Sequence, residues 1–152
     1  MNKYAYYYFE FGILKIGYTD TEIIFLKRVD QIDTDNVPSI LSDLAFNQVC
    51  EYLKGNRKSF DFPYEFQGTD FQKKVWHALC DIPYGETRSY KQIAEAVNSP
   101  KACRAVGMAN NKNPITIAVP CHRVIGTNGK LIGYAGGIDM KRALLELEKI
   151  EL

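Results

Sequence analysis

The chain has 152 residues, 46% of them hydrophobic, and a net charge of +1, which suits one compact domain or two small ones and excludes a disordered chain. MNKYAYYYFEFG lacks the apolar stretch of a signal peptide and no apolar run approaches the ~18 residues of a membrane span, so a cytoplasmic protein is expected. Cys50, Cys80, Cys103 and Cys121 form no CxxC pair and the histidines are only His77 and His122, which excludes a disulfide scaffold and leaves no metal-ligand cluster.

The first thirty residues carry runs rich in Tyr, Phe and Ile, at Tyr4 to Phe9, Ile13 to Tyr18 and Glu22 to Arg28, punctuated by Gly12 and Thr19–Asp20. They read as a small antiparallel sheet built from hairpins. Ile40, Leu41, Leu44, Val49, Tyr52 and Leu53 then recur near helical spacing over Pro38 to Leu53, with Gly55 as C-cap. FDFPYEFQGTDF reads as a linker, broken by Pro63 and Gly68, with Asp70 as the N-cap of the next helix. Two domains are expected, residues 1–66 and 67–152.

The second half reads mainly as short helices. Phe71 to Cys80 repeats apolar residues at Phe71, Val75, Trp76 and Leu79 and ends at IPYGE. Thr87 or Arg88 opens the next helix, Asn98 and Ser99 form a turn, and Pro100 at N1 starts a third helix running to about Asn110. Two short helices across such a turn make a helix-turn-helix candidate. The third helix, KACRAVGMAN, has small residues at Ala102, Ala105, Gly107 and Ala109 with Arg104 as its long cation. It is suited either to tight packing in a core or to close approach to a minor groove. A last helix spans Asp139 to Glu148.

Charge is uneven: residues 1–66 carry −3 and residues 67–152 carry +4. Residues 88–130 alone carry +6, from Arg88, Lys91, Lys101, Arg104, Lys112, Arg123 and Lys130 against Glu95. That stretch is either a solvated basic surface or the face of a polyanion site.

PCHR, residues 120 to 123, sets Cys121 beside His122. A thiol with a reference pKa near ~8.5 needs help to ionise, and a base in turn needs a partner to fix its tautomer. The helix Asp139 to Glu148 offers Asp139, Glu146 and Glu148 for that. From the residues alone, a buried structural cysteine and a nucleophile both remain open.

NPITIAVPCHRVIGTNGKLIGYAGGIDMKRALLELE, and GTDFQKKVWHALCDIPYGETRSYKQIAEAVNSPKACRAVGMANN before it, resemble the O6-alkylguanine-DNA alkyltransferase family, also called methylated-DNA–protein-cysteine methyltransferases. The resemblance covers residues 67–149 almost continuously. It implies an α+β protein: a ribonuclease-H-like N-terminal sheet with a helix, then a mainly helical, winged-helix-like domain. It implies irreversible, single-turnover transfer of the alkyl group of O6-alkylguanine, and of O4-alkylthymine, in double-stranded DNA to Cys121. His122 would act as base through a water, Glu148 would orient it, and Asn113 would tie the active-site turns. Tyr90 would bond guanine N3, and Arg104 would fill the space of the flipped nucleotide, on a surface with Lys101, Ala102, Ala105 and Gly107. Tyr134, Val124, Ala135 and Lys141 would line the pocket. No cofactor, metal, membrane or obligate protein partner is implied, and a monomer is expected. Zinc-binding relatives use N-terminal Cys and His, whereas here no His precedes His77. The alternative is a non-catalytic lesion-binding relative that recruits other repair. Proteins of that kind lack the reactive cysteine, so Cys121 argues against it.

Overall fold

A computed structural model describes residues 2–127, 129, 131, 134 and 137–150. The chain divides into two compact units at the junction of Gln67 and Gly68.

In the first unit, β1 (Lys3–Phe9), β2 (Gly12–Tyr18) and β3 (Ile23–Val29) form an antiparallel sheet in that order. Alternation puts Ala5, Leu14, Ile16 and Leu26 inside, fully buried. Gly12, at φ 117, makes the first turn, where a side chain would be strained. Helix α1 (Ile40–Leu53) starts at Ser39, whose side chain and Ser42 form a reciprocal cap, and buries Ala45, Val49 and Tyr52. Its Phe46 ring stacks on Tyr7 at 4.3 Å.

The stretch expected as a linker is partly built into this unit. Ile23 N–H donates to the Pro63 carbonyl (2.9 Å) and Glu65 N–H to the Ile23 carbonyl (3.0 Å), a parallel bridge along the β3 edge. Phe62 and Phe66 are buried beside it. Pro63 and Gly68 make the segment read as a break, yet the backbone bonds on either side of Tyr64 and the burial of Phe62 and Phe66 anchor it to the sheet.

In the second unit, α2 (Asp70–Cys80) is capped by Thr69 and Gln72 rather than by Asp70, which becomes the first helical residue. Its Val75, Trp76 and Leu79 face inward. Trp76 Nε1–H donates to the Ala109 carbonyl at 2.8 Å, and Gly68 lies so close that a Cβ there would sit 2.6 Å from the indole ring. Strand β4 (Arg88–Ser89) pairs in parallel with β5 (Val124–Ile125). This pairing moves the next helix start from the expected Thr87 or Arg88 to α3 (Tyr90–Ala96), capped by Ser89 with Gln92. Asn98 adopts φ 59 in the turn after α3, and α4 (Cys103–Asn111) begins three residues after Pro100, which lies in the turn and not at N1. Helix α5 (Ile138–Leu147) closes the unit and buries Met140, Lys141, Leu144 and Leu145. No helix among the described residues is long and apolar enough to cross a membrane.

Candidate active site

Between α4 and β5 the chain makes a run of tight turns that ends in a single 3₁₀ turn, Cys121–Arg123. Ile115, Ile117 and Val119 are buried to 1% or less, which pins the segment to the core. Ile117 holds φ 71, a left-handed conformation that costs a β-branched residue about 1–3 kcal/mol. Asn113 staples the turn from both ends: its Nδ2 donates to the Val119 carbonyl (2.8 Å), and its Oδ1 accepts from Ile115 N–H (3.0 Å). Burial and this staple hold the strained geometry, and Cys121 comes directly after it, 1% exposed.

His122 is fully buried beside Cys121. Its Nε2–H donates to Glu148 Oε2 at 2.8 Å, and both side chains are excluded from solvent. Glu148, the C-cap of α5, accepts from three other donors. Arg123 reaches Oε1 through Nε (2.8 Å) and Oε2 through Nη2 (3.1 Å), and Gly85 N–H adds a bond to Oε1 (3.1 Å). Four donors on one carboxylate favour its charged form. Arg123 is itself fixed by Nη1 donating to the Ile82 carbonyl at 2.7 Å. Burial pushes the His122 imidazole below its usual range. Glu148 opposes that shift, and the positive charges of Arg123 and Lys141 add to it. The ring is therefore neutral at neutral pH, the state a base requires.

The parallel ladder sets Arg88 opposite Val124, so α3 opens with Tyr90 next to the nucleophile's segment. Burial raises the Tyr90 phenol, and negative charge on Cys121 raises it further. Tyr90 thus keeps its proton and remains a donor. A Cβ at Gly107 of α4 would sit 3.8 Å from this ring, an ordinary contact distance. Lys141, fully buried, donates from Nζ to the Val124 carbonyl at 2.6 Å. Burial lowers its pKa to about 8, against the opposing pull of Cys121. Tyr134 is buried, and Ala135 lies outside the described residues.

The structure gathers Cys121, His122, Glu148, Tyr90, Asn113, Val124 and Lys141 in one unit. Lys101, Arg104 and Ala105 are exposed on α4 and its lead-in, with Ala102 and Gly107 half-buried and Cys103 and Met108 also exposed. Val106, Ala109 and Asn110 turn inward. Arg123 is the functional neighbour that the sequence alone does not reveal, because it lies in a basic stretch suited to a polyanion; here it is 6% exposed and paired with Glu148. One signal could have found it: a buried carboxylate that orients a neutral histidine needs a cation of its own. Among the described residues no three His, Cys, Asp or Glu side chains gather to hold a metal ion.

Residues 70–150 match the family model for the 6-O-methylguanine DNA methyltransferase DNA binding domain, and residues 2–66 match that for its ribonuclease-like domain. A methylated-DNA–protein-cysteine methyltransferase of Methanosarcina barkeri is 58% identical over 108 residues, 71% of this chain and 68% of that protein. The crystal structure of Mycobacterium tuberculosis O6-methylguanine methyltransferase superposes with a TM-score of 0.90 at 45% identity, covering 98% of this chain and 93% of the other. A Mycobacterium tuberculosis structure in complex with DNA gives a TM-score of 0.88 at 47% identity, covering 96% and 92%. With both of its units matched and its α+β architecture shared, the chain belongs to the 6-O-methylguanine DNA methyltransferase family.

Proposed function

We propose that this protein repairs DNA by direct reversal, moving the alkyl group from O6 of an alkylated guanine to Sγ of Cys121, with each molecule acting once. The observation that carries the reading is the buried chain of contacts from His122 to Glu148 beside Cys121, 2.8 Å between ring nitrogen and carboxylate.

A target atom inside a duplex is out of reach of a side chain, so the nucleotide rotates out at a cost of about a few kcal/mol, less for a poorly paired lesion. Arg104, on the exposed side of α4, fills the vacated stack, while Ala102, Ala105 and Gly107 let the helix backbone approach the minor groove and Lys101 meets phosphate. In the pocket, Val124, Tyr134 and Lys141 surround the base.

Sγ attacks the alkyl carbon in line with the C–O6 bond. The C–S bond forms, and the electrons of the C–O6 bond pass to the guanine oxygen. His122 takes the thiol proton through a water. With Nε2 donating to Glu148, that exchange runs through Nδ1, and Glu148 stabilises the imidazolium that results. Tyr90, kept protonated by burial, donates to guanine N3 and offsets the charge on the departing base. Guanine ends with the proton that the thiol lost, and the thioether has no leaving route. O4-alkylthymine presents the same ether carbon and is the second substrate. Residues 67–152 carry DNA binding and alkyl acceptance, residues 1–66 form the N-terminal domain, and the protein works as a cytoplasmic monomer. The non-catalytic alternative is not favoured, because Cys121 is present and its base is assembled.

Titrating the protein with a duplex that carries O6-methylguanine tests this reading. Repair stops at one lesion per protein molecule and Cys121→Ser repairs none; continued turnover past that ratio would refute it.

A further inference from the structure

Three buried side chains each take one main-chain carbonyl along the segment that presents the nucleophile. Asn113 holds Val119, Lys141 holds Val124, and between them Nδ2 of Asn110 donates to the carbonyl of Cys121 at 3.4 Å. Asn110 sits on the inner face of α4, 1% exposed, beside the apolar Val106 and Ala109. An aliphatic side chain of similar size would be cheaper to bury there than a carboxamide. The amide is engaged on its donor side, while its buried Oδ1 meets no hydrogen-bond partner among the described residues. A half-satisfied buried amide calls for an explanation beyond packing. Its one bond falls on the peptide that joins Cys121 to His122, whose orientation sets both the aim of Sγ and the place of the base.

We propose that Asn110 is a positioning residue for alkyl transfer: from the inner face of the helix that bears Arg104, its carboxamide fixes the Cys121–His122 peptide for in-line attack. The assignment rests on Cys121 being the alkyl acceptor. Misplacement of a reacting atom is felt in the chemical step more than in binding.

The test uses the full chain carrying Asn110→Leu, which keeps the volume and removes the donor. Single-turnover transfer is measured at saturating O6-benzylguanine base and at saturating O6-methylguanine duplex, together with melting temperature and affinity for undamaged duplex. Transfer falls about tenfold on both substrates, the worth of one hydrogen bond, while melting temperature is equal to or above wild type and duplex affinity is unchanged. Asn110→Met, of similar volume and likewise without a donor toward the carbonyl, is slow as well. A wild-type rate in either variant overturns the assignment. So does a rate loss that only parallels a loss of melting temperature across the two variants. If the wild-type chain gains no alkyl group on Cys121, the underlying reading fails instead.

Discussion

Replacing Arg123 with Met removes a cation that touches the buried carboxylate on both oxygens. The side chains of Arg123 and Glu148 are 8% and 0% exposed, so the variant strands a charge in a site that solvent cannot reach. Breaking a buried pair in this way costs about 3–5 kcal/mol, a large share of the roughly 5–15 kcal/mol that holds a domain together. For a unit of this size, at roughly 4–8 °C per kcal/mol, that corresponds to a fall of roughly 12–40 °C in melting temperature. The single tryptophan, Trp76, is buried in the same unit and bonded to Ala109, so its fluorescence reports that unit's unfolding directly. A second consequence concerns pH. In the wild type the His122 pKa is held below the ordinary 6.5, mainly by burial, so the folded state resists a proton that the unfolded state accepts. Stability therefore falls as pH drops through about 6.5, while the neutral base persists below that value. Without Arg123, His122 becomes the counter-ion of Glu148 and its folded pKa rises, so the acid limb of the transfer rate moves to higher pH. An Arg123→Met protein with unchanged melting temperature and an unchanged pH–rate profile would show that Arg123 does not balance the buried charge of Glu148.

Asn113→Ala leaves the Val119 carbonyl and the Ile115 N–H without their side-chain partner, at about 1–3 kcal/mol for each; it lowers the tryptophan-detected melting temperature and slows labelling of Cys121. Arg104→Ala, on the exposed side of α4, slows repair in duplex DNA while leaving reaction with O6-benzylguanine base nearly unchanged; equal losses on both would exclude the flipping role. Lys141, with its pKa lowered from 10.5 to about 8, loses its proton in the folded state before the unfolded state does. Stability from this group rises with pH between those values, and Lys141→Met flattens that rise in denaturant melts taken across the range.

Elements that depend on local pattern were legible in the sequence. The Tyr, Phe and Ile runs of β1 to β3, the apolar spacing of α1 and α2, and the adjacency of Cys121 and His122 with a carboxylate-bearing helix after them are all matters of residue type and order. Elements fixed by distant partners were not. Arg88 and Ser89 carry no strand signal of their own and extend only because Val124 and Ile125, far along the chain, pair with them. Thr69 and Asp70 are both good N-caps, and the choice falls on Thr69 because Gln72 returns the bond. Pro100 suits a helix start, yet the helix begins at Cys103 after the Asn98 turn. Tyr64 joins the edge of β3 through backbone bonds that side-chain composition does not announce. Arg123 and Asn110 are hidden for one shared reason: an arginine in a basic stretch and an asparagine in a small-residue helix read as surface, and only tertiary packing turns them inward.

The most direct test sets the proposed chemistry against simple accessibility. Cys80 and Cys103 are exposed and Cys50 is half-buried, whereas Cys121 is 1% exposed. After incubation with a duplex carrying O6-methylguanine, the protein is digested and the mass of each cysteine peptide is measured. One added methyl group is expected, on the peptide of Cys121 alone, the most buried thiol in the chain. A methyl group on Cys80 or Cys103, or an unmodified Cys121 peptide after the lesion is consumed, would contradict it.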